Sequence, residues 1–168
     1  YGAPGRTLDG VTFAVGAGRM LAIVGRSGAG KTTLVNLIPR FYDVTGGAIR
    51  IDGVDIRDVS LASLRAQIGI VTQETVLFDD TIARNIAFGE LEPDTDGVMW
   101  AARAANAHEF IERLPLGYDT RIGESGLSLS GGQKQLLALA SVLATAPDLL
   151  VMDEPTTLLD LRNSRMVA

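Results

Sequence analysis

The chain contains no cysteine, which removes disulfides and thiolate metal sites and fits a reducing compartment. It also lacks a basic excess: 15 lysines and arginines stand against 20 aspartates and glutamates, a formal net charge of −5. A general nucleic-acid binder shows a basic face, so no nucleic-acid partner is expected. Long apolar runs are missing as well. The longest, Leu136 to Ala146, is broken by Ser141 and Thr145 and falls short of the roughly 20 residues that span a bilayer. It reads as a buried helix. No basic, apolar and small-residue succession marks a signal peptide at the N-terminus, so a role at a membrane would need an anchor elsewhere.

What the chain does have is enough length and apolar content for one domain with a real core: 168 residues, 46% of them hydrophobic. Its most informative stretch is Gly25-Arg26-Ser27-Gly28-Ala29-Gly30-Lys31-Thr32, which fits the phosphate-cradling pattern G-x-x-x-x-G-K-[ST]. The apolar run Met20 to Val24 before it has strand length. Thr33 to Ile38 after it reads as a helix that Pro39 closes. In that setting glycines let the backbone N–H groups approach phosphate, and the helix start adds positive partial charge. Lys31 would reach the outer phosphates, and the Thr32 hydroxyl would hold Mg²⁺.

Along the rest of the chain, Val11 to Val15 alternates like a half-buried strand, and Gly16-Ala17-Gly18 turns it toward the phosphate loop. A strand over 48–51 runs into the tight-turn pair Asp52-Gly53. Ser60 caps a helix over 61–67, and an apolar strand over 68–72 ends at Gln73. Residues 81–114 turn mostly helical, with Val98, Met99, Ala102 and Ala105 at core spacing. Residues 115–128 read as a loop and 132–145 as a helix. Pro147-Asp148 then breaks the chain before the strand 149–153. Strands alternating with helices predict an α/β domain with a mainly parallel central sheet and an inserted helical subdomain over about 74–145.

Two further stretches carry chemistry. Asp153 ends an apolar strand, where a carboxylate can bind Mg²⁺ directly or through water, and Glu154 beside it could polarise an attacking water. Leu129-Ser130-Gly131-Gly132-Gln133 is a second glycine-rich helix start, hence a second anion site. A serine cap accounts for Ser130, but not for two following glycines that each cost helix stability.

On these three motifs together, the sequence resembles the nucleotide-binding domain of ABC transporters, with Leu129 to Gln133 similar to the family's signature motif. The resemblance implies a P-loop NTPase fold of ABC type, with an antiparallel β subdomain beside the parallel sheet. It implies ATP and Mg²⁺ as ligands, with Gly25, Ser27, Gly28, Ala29, Gly30, Lys31, Thr32 and Thr33 around the phosphates. It further implies head-to-tail pairing with a second nucleotide-binding domain, so that Ser130, Gly131, Gly132 and Gln133 face the partner's ATP. By the same resemblance Tyr1 stacks on adenine, Gln73 touches Mg²⁺ and water, and Asp160 communicates across the dimer. Asp160 also reads as a cap for a helix beginning near Leu161.

Within the family, Arg40 to Asp43, Leu61 to Arg65 and Thr75 to Asn85 resemble exporters, particularly bacterial lipid A and multidrug exporters. The stretch Thr120 to Gly126 is similar to the exporter X-loop, with Glu124 where the transmembrane domain is contacted. Two features depart from that pattern. Leu136 to Ala140 lacks the usual arginines, and Pro155 to Asp160 resembles importer or energy-coupling ATPases. The family's histidine beyond the D-loop falls past Ala168; the single histidine, His108, reads as a surface or packing residue. The domain is therefore expected to be C-terminally incomplete, truncated after the D-loop. The implied function is ATP hydrolysis powering export of lipids or drugs at the cytoplasmic face of a bacterial inner membrane. The alternatives are nucleotide binding with little turnover, and the ATPase component of an importer.

Overall fold

The computed structural model describes residues 7–72, 75–88, 93–123 and 127–153. The chain divides into two compact units, Tyr1–Arg65 and Ala66–Ala168.

In the first unit the helix α1, Lys31–Leu37, follows the glycine loop. Its end is closed by Arg40 N–H donating to the Leu37 carbonyl (3.2 Å) and Phe41 N–H to that of Asn36 (3.1 Å). This pairing puts the residue after Pro39 in the left-handed region that glycine usually fills, and here it is Arg40, with φ 55. The Arg40 side chain ion-pairs with Asp43 at 2.6 Å. The strands β1, Arg50–Ile51, and β2, Val54–Asp55, form an antiparallel hairpin. Its turn residues Asp52 and Gly53 both have positive φ, 50 and 81, as the expected Asp-Gly turn requires. Arg57 holds the Asp55 carboxyl down at about 2 through side-chain and backbone hydrogen bonds. Ser60 accepts from Ser63 N–H at 3.1 Å ahead of α2, Leu61–Ala66.

One expectation for this unit fails. Residues 11–24 belong to no strand, and Met20 and Val24 remain 75% and 89% exposed. Apolar spacing favours an extended chain, but a strand also needs a neighbour for its N–H and C=O groups. Among the described residues of this unit the only ladder is the β1–β2 hairpin.

The second unit contains a parallel pair, β3, Ile68–Val71, beside β6, Leu149–Met152, in the register Ile68↔Leu149 to Val71↔Met152. Parallel neighbours require a crossover, and among the described residues this one carries four α-helices: α3, Ile82–Ile86; α4, Thr95–Ala104; α5, His108–Glu112; and α6, Gly131–Ala144. Their shared core contains Ile82, Ile86, Val98, Ala101, Ala102, Ala105, Ile111, Leu136, Leu137 and Ala140. The alanines of α4 let it approach α6 closely, which longer side chains would prevent. Asp94 caps α4 by accepting from the N–H groups of Asp96 and Gly97, and Asn106, with φ 58, turns the chain between α4 and α5.

The second unit also departs from expectation. Part of the predicted loop 115–128 is a strand: β5, Arg121–Ile122, pairs antiparallel with β4, Asp80–Thr81. This contact joins residues about 40 positions apart, and no local pattern marks it. His108 is a packing residue, as expected, with Nδ1 2.8 Å from the Tyr118 hydroxyl.

Among the described glycines of this unit, Gly69 has the tightest surroundings, where α6 lies on β3. A Cβ built on Gly69 would collide with Val142 and stand 2.8 Å from Pro147. Replacement by alanine forces helix and strand apart. Gly69→Ala is expected to lower stability by roughly 1–3 kcal/mol, the usual cost of overpacking. Chemical denaturation measures it, and an unchanged midpoint would contradict this packing.

Candidate functional site

The glycine loop is built by its backbone. Gly28 and Gly30 have φ 78 and 90, values that a side chain makes costly. At Gly30 a Cβ would also stand 3.0 Å from Leu8 and 3.1 Å from the Thr7 carbonyl. Ala29 N–H bonds back to the Arg26 carbonyl at 3.1 Å, and the first helical bond runs from Leu34 N–H to Gly30 O at 2.9 Å. The N–H groups of Lys31, Thr32 and Thr33 thus precede the first N–H that donates within the helix, as at every helix start. Lys31 folds back over the loop, its Nζ donating to the carbonyls of Gly25 (2.9 Å) and Arg26 (3.1 Å). An ammonium has three donors, so one remains to meet a phosphate oxygen. Ser27 and Thr32 are exposed.

The second glycine-rich helix start is a reciprocal cap. The Ser130 hydroxyl oxygen accepts from Gln133 N–H at 3.2 Å, while Gln133 Oε1 accepts from Ser130 N–H at 2.9 Å. Sequence reasoning took the cap and the anion site as competing accounts of Ser130, yet they are compatible. The cap uses the oxygen of Ser130 and leaves its proton free to donate. Gln133, expected to face ATP, has its carboxamide oxygen engaged within the cap. Gly131 and Gly132 put no side chain in front of the helix start.

Asp153 follows β6 and continues the ladder, its N–H donating to the Val71 carbonyl at 2.9 Å. Its carboxylate therefore stands at the carboxyl end of the parallel pair. Lys31 and Thr32 lie in the first unit, and Asp153 and Ser130 in the second, each held by its own surroundings. Tyr1, Gln73, Glu124, Glu154 and Asp160 lie outside the described residues.

The Thr32 hydroxyl in the first unit and the Asp153 carboxylate in the second are each hard oxygens, the donor type that suits Mg²⁺. Among the described residues no group of three or more histidine, aspartate, glutamate or cysteine side chains could hold a metal by itself.

Asn85 carries a role that the sequence did not single out. It is buried, accepts from Phe78 N–H at 2.8 Å, and donates to the carbonyls of Phe78 (3.1 Å) and Thr81 (2.9 Å). It thereby pins the segment 78–81, of which Phe78 and Asp79 line a groove of about 660 Å³. Val76, Leu127, Leu129 and Lys134 are among the groove's other lining residues. A polar residue between the core positions Ile82 and Ile86 was the available signal.

A glycine loop with its lysine at a helix start, in an α/β chain with a carboxylate at the end of a parallel strand, defines a nucleotide-binding domain of the P-loop class. The chain belongs to the ABC transporter family, whose model matches residues 8–157. It is 58% identical over 153 residues to an ATP-dependent lipid A-core flippase of Syntrophus aciditrophicus (strain SB), a match covering 91% of this chain and 26% of that protein. It is 51% identical over 166 residues to the ATP-binding cassette sub-family B member 6 of Homo sapiens, covering 98% of this chain and 20% of the other. A solved structure of a bacterial Atm1-family ABC exporter with ATP bound superposes with a TM-score of 0.75 at 50% identity, covering 83% of this chain and 25% of that one. The chain thus spans about a quarter of the length of such relatives. Among the described residues no helix is long and apolar enough to cross a membrane.

The two helix starts should differ under mutation. If Lys31 meets phosphate, Lys31→Ala removes a charge-assisted contact and is expected to weaken ATP binding by about a hundredfold. Ser130→Ala should lower stability by about 1 kcal/mol through the lost cap and leave ATP binding by the isolated chain unchanged. Titration with a fluorescent ATP analogue measures both, and equal losses would contradict the assignment.

Proposed function

We propose that this domain binds ATP with Mg²⁺ and hydrolyses it to power an exporter, with a lipid or another amphiphile as cargo. The observation that carries this reading is the presence, in one chain, of two differently built anion-binding helix starts. One has a lysine folded over it, and the other has a serine cap with a free proton. A single phosphate chain needs only one such end, and a second suits ATP held between two copies. Export, rather than import, is supported by the names that the flippase and the Atm1-family relative carry.

In this reading Lys31 and the loop N–H groups bind the phosphates, Thr32 and Asp153 hold Mg²⁺ with Gln73, and Glu154 takes the proton of the attacking water. The metal supplies charge neutralisation at the phosphates. The chain's own residues position water and phosphate and exclude competing geometries, which is most of what phosphoryl transfer asks of a protein. Ser130 to Gln133 complete the site in the second copy. Tyr1 stacks on adenine, and Asp160 lies at the junction of the copies.

The groove walled by 75–79 and 127–129 is taken as the seat of the transporter's membrane part, near Gln73 and Glu124. Its exposed Val76, Phe78 and Leu127 suit an apolar helix face.

The test is ATP turnover by the whole transporter in vesicles. Glu154→Gln should lower turnover by about a hundredfold or more, as loss of a general base does, while ATP binding persists. Unchanged turnover would reject Glu154 as the base. Nucleotide binding without turnover in the parent would identify a binding module instead.

A further inference from the structure

Besides Thr120, at Oγ1, two side chains in the second unit have buried hydrogen-bonding atoms that are without partners among the described residues: Gln135, at both Oε1 and Nε2, and Thr75, at Oγ1. Gln135 is only 3% exposed. Burying a carboxamide with no partner is costly, and proteins keep such groups where another state of the molecule supplies the bond.

Their positions are related. Helix α6 leads back into β6, which runs parallel to β3, so α6 runs antiparallel to both strands. Val142 abuts Gly69. Gln135 precedes Val142 by seven residues, about two helical turns, and therefore shares its strand-facing side about 10 Å further along the axis. Measured along β3 from Gly69, 10 Å is about three residues, just past the strand's end at Val71. Thr75 is four positions beyond Val71, and it lines the groove together with Lys134, the residue next to Gln135. The orphaned amide on α6 and the orphaned hydroxyl after β3 thus belong to the same end of the unit.

We propose that Gln135 and Thr75 form a hydrogen-bonded tie when the groove is filled, and that Gln135 is a positioning residue for hydrolysis. Each group is both donor and acceptor, so one bond satisfies the hydroxyl and part of the amide. Closing the tie fixes α6 one turn behind Ser130 to Gln133, the end that must meet phosphate. Occupancy of the groove by the membrane part is thereby passed to the helix start that completes the ATP site. This rests on the proposed function above.

A double-mutant cycle in the whole transporter tests the pair, using Thr75→Val, which keeps shape and removes the hydroxyl, and Gln135→Leu. Each single variant is expected to lower kcat about tenfold with KM for ATP unchanged, the double variant no further than the worse single, as for residues in direct contact. Thermal midpoints should stay at or above the parent's, because each change removes an orphaned polar group; a purely structural role would lower them. Single variants with parental kcat, or losses that multiply in the double variant, would overturn the tie. Should the leucine variant not fold, Gln135→Met runs the same cycle. Failure of the ATPase reading itself shows separately, as a parent turnover that Glu154→Gln leaves intact.

Discussion

The described part of the second unit depends on one close contact, that of α6 with β3 at Gly69. Because no side chain intervenes there, the helix lies on the strand pair closely enough for Val142 and Pro147 to set its height. The parallel register of β3 and β6 then sends both strands out at the same end, and Asp153 emerges there with its N–H locked to the Val71 carbonyl. The antiparallel run of α6 brings its capped N-terminus toward that end as well. One packing distance thus governs the placement of a carboxylate and an anion-binding helix start.

The first unit solves a different problem, that of keeping a lysine and a row of N–H groups available without collapse. Lys31 is held by two carbonyls of its own loop. The left-handed glycines set the loop's path, and the closing turn at Arg40 ends the helix early. Beyond the helix, Arg65 stacks over Phe41 at 5.2 Å and donates to the Pro39 and Arg40 carbonyls, tying α1 to α2.

Local features were legible in the sequence wherever one residue type has a single physical use. Asp52-Gly53 demanded a tight turn, Ser60 and Ser130 were caps, and the glycine loop announced phosphate. The spacing of Val98, Ala102 and Ala105 marked the core face of α4 and its C-cap, whereas Met99, read with them, is only half-buried. Illegible features depended on distant partners. The apolar alternation of residues 11–24 says nothing about whether a neighbouring strand completes the ladder, and the β4–β5 pair joins two short polar stretches through Ile122 and the Thr120 carbonyl. Asn85 and Gln135 look alike in sequence, both amides in helices. Among the described residues Asn85 has partners for both ends of its amide and Gln135 has none.

The central claim is that each chain carries two halves of two sites, its glycine loop serving one and Ser130 to Gln133 the other. The absence of cysteine makes a direct measurement possible. Two single-cysteine chains, Ser27→Cys and Gly132→Cys, each also carrying Glu154→Gln, are mixed and oxidised. A covalent dimer containing one chain of each kind should form with ATP and Mg²⁺ and not without nucleotide. Equal cross-linking in both conditions, or none in either, would contradict the account.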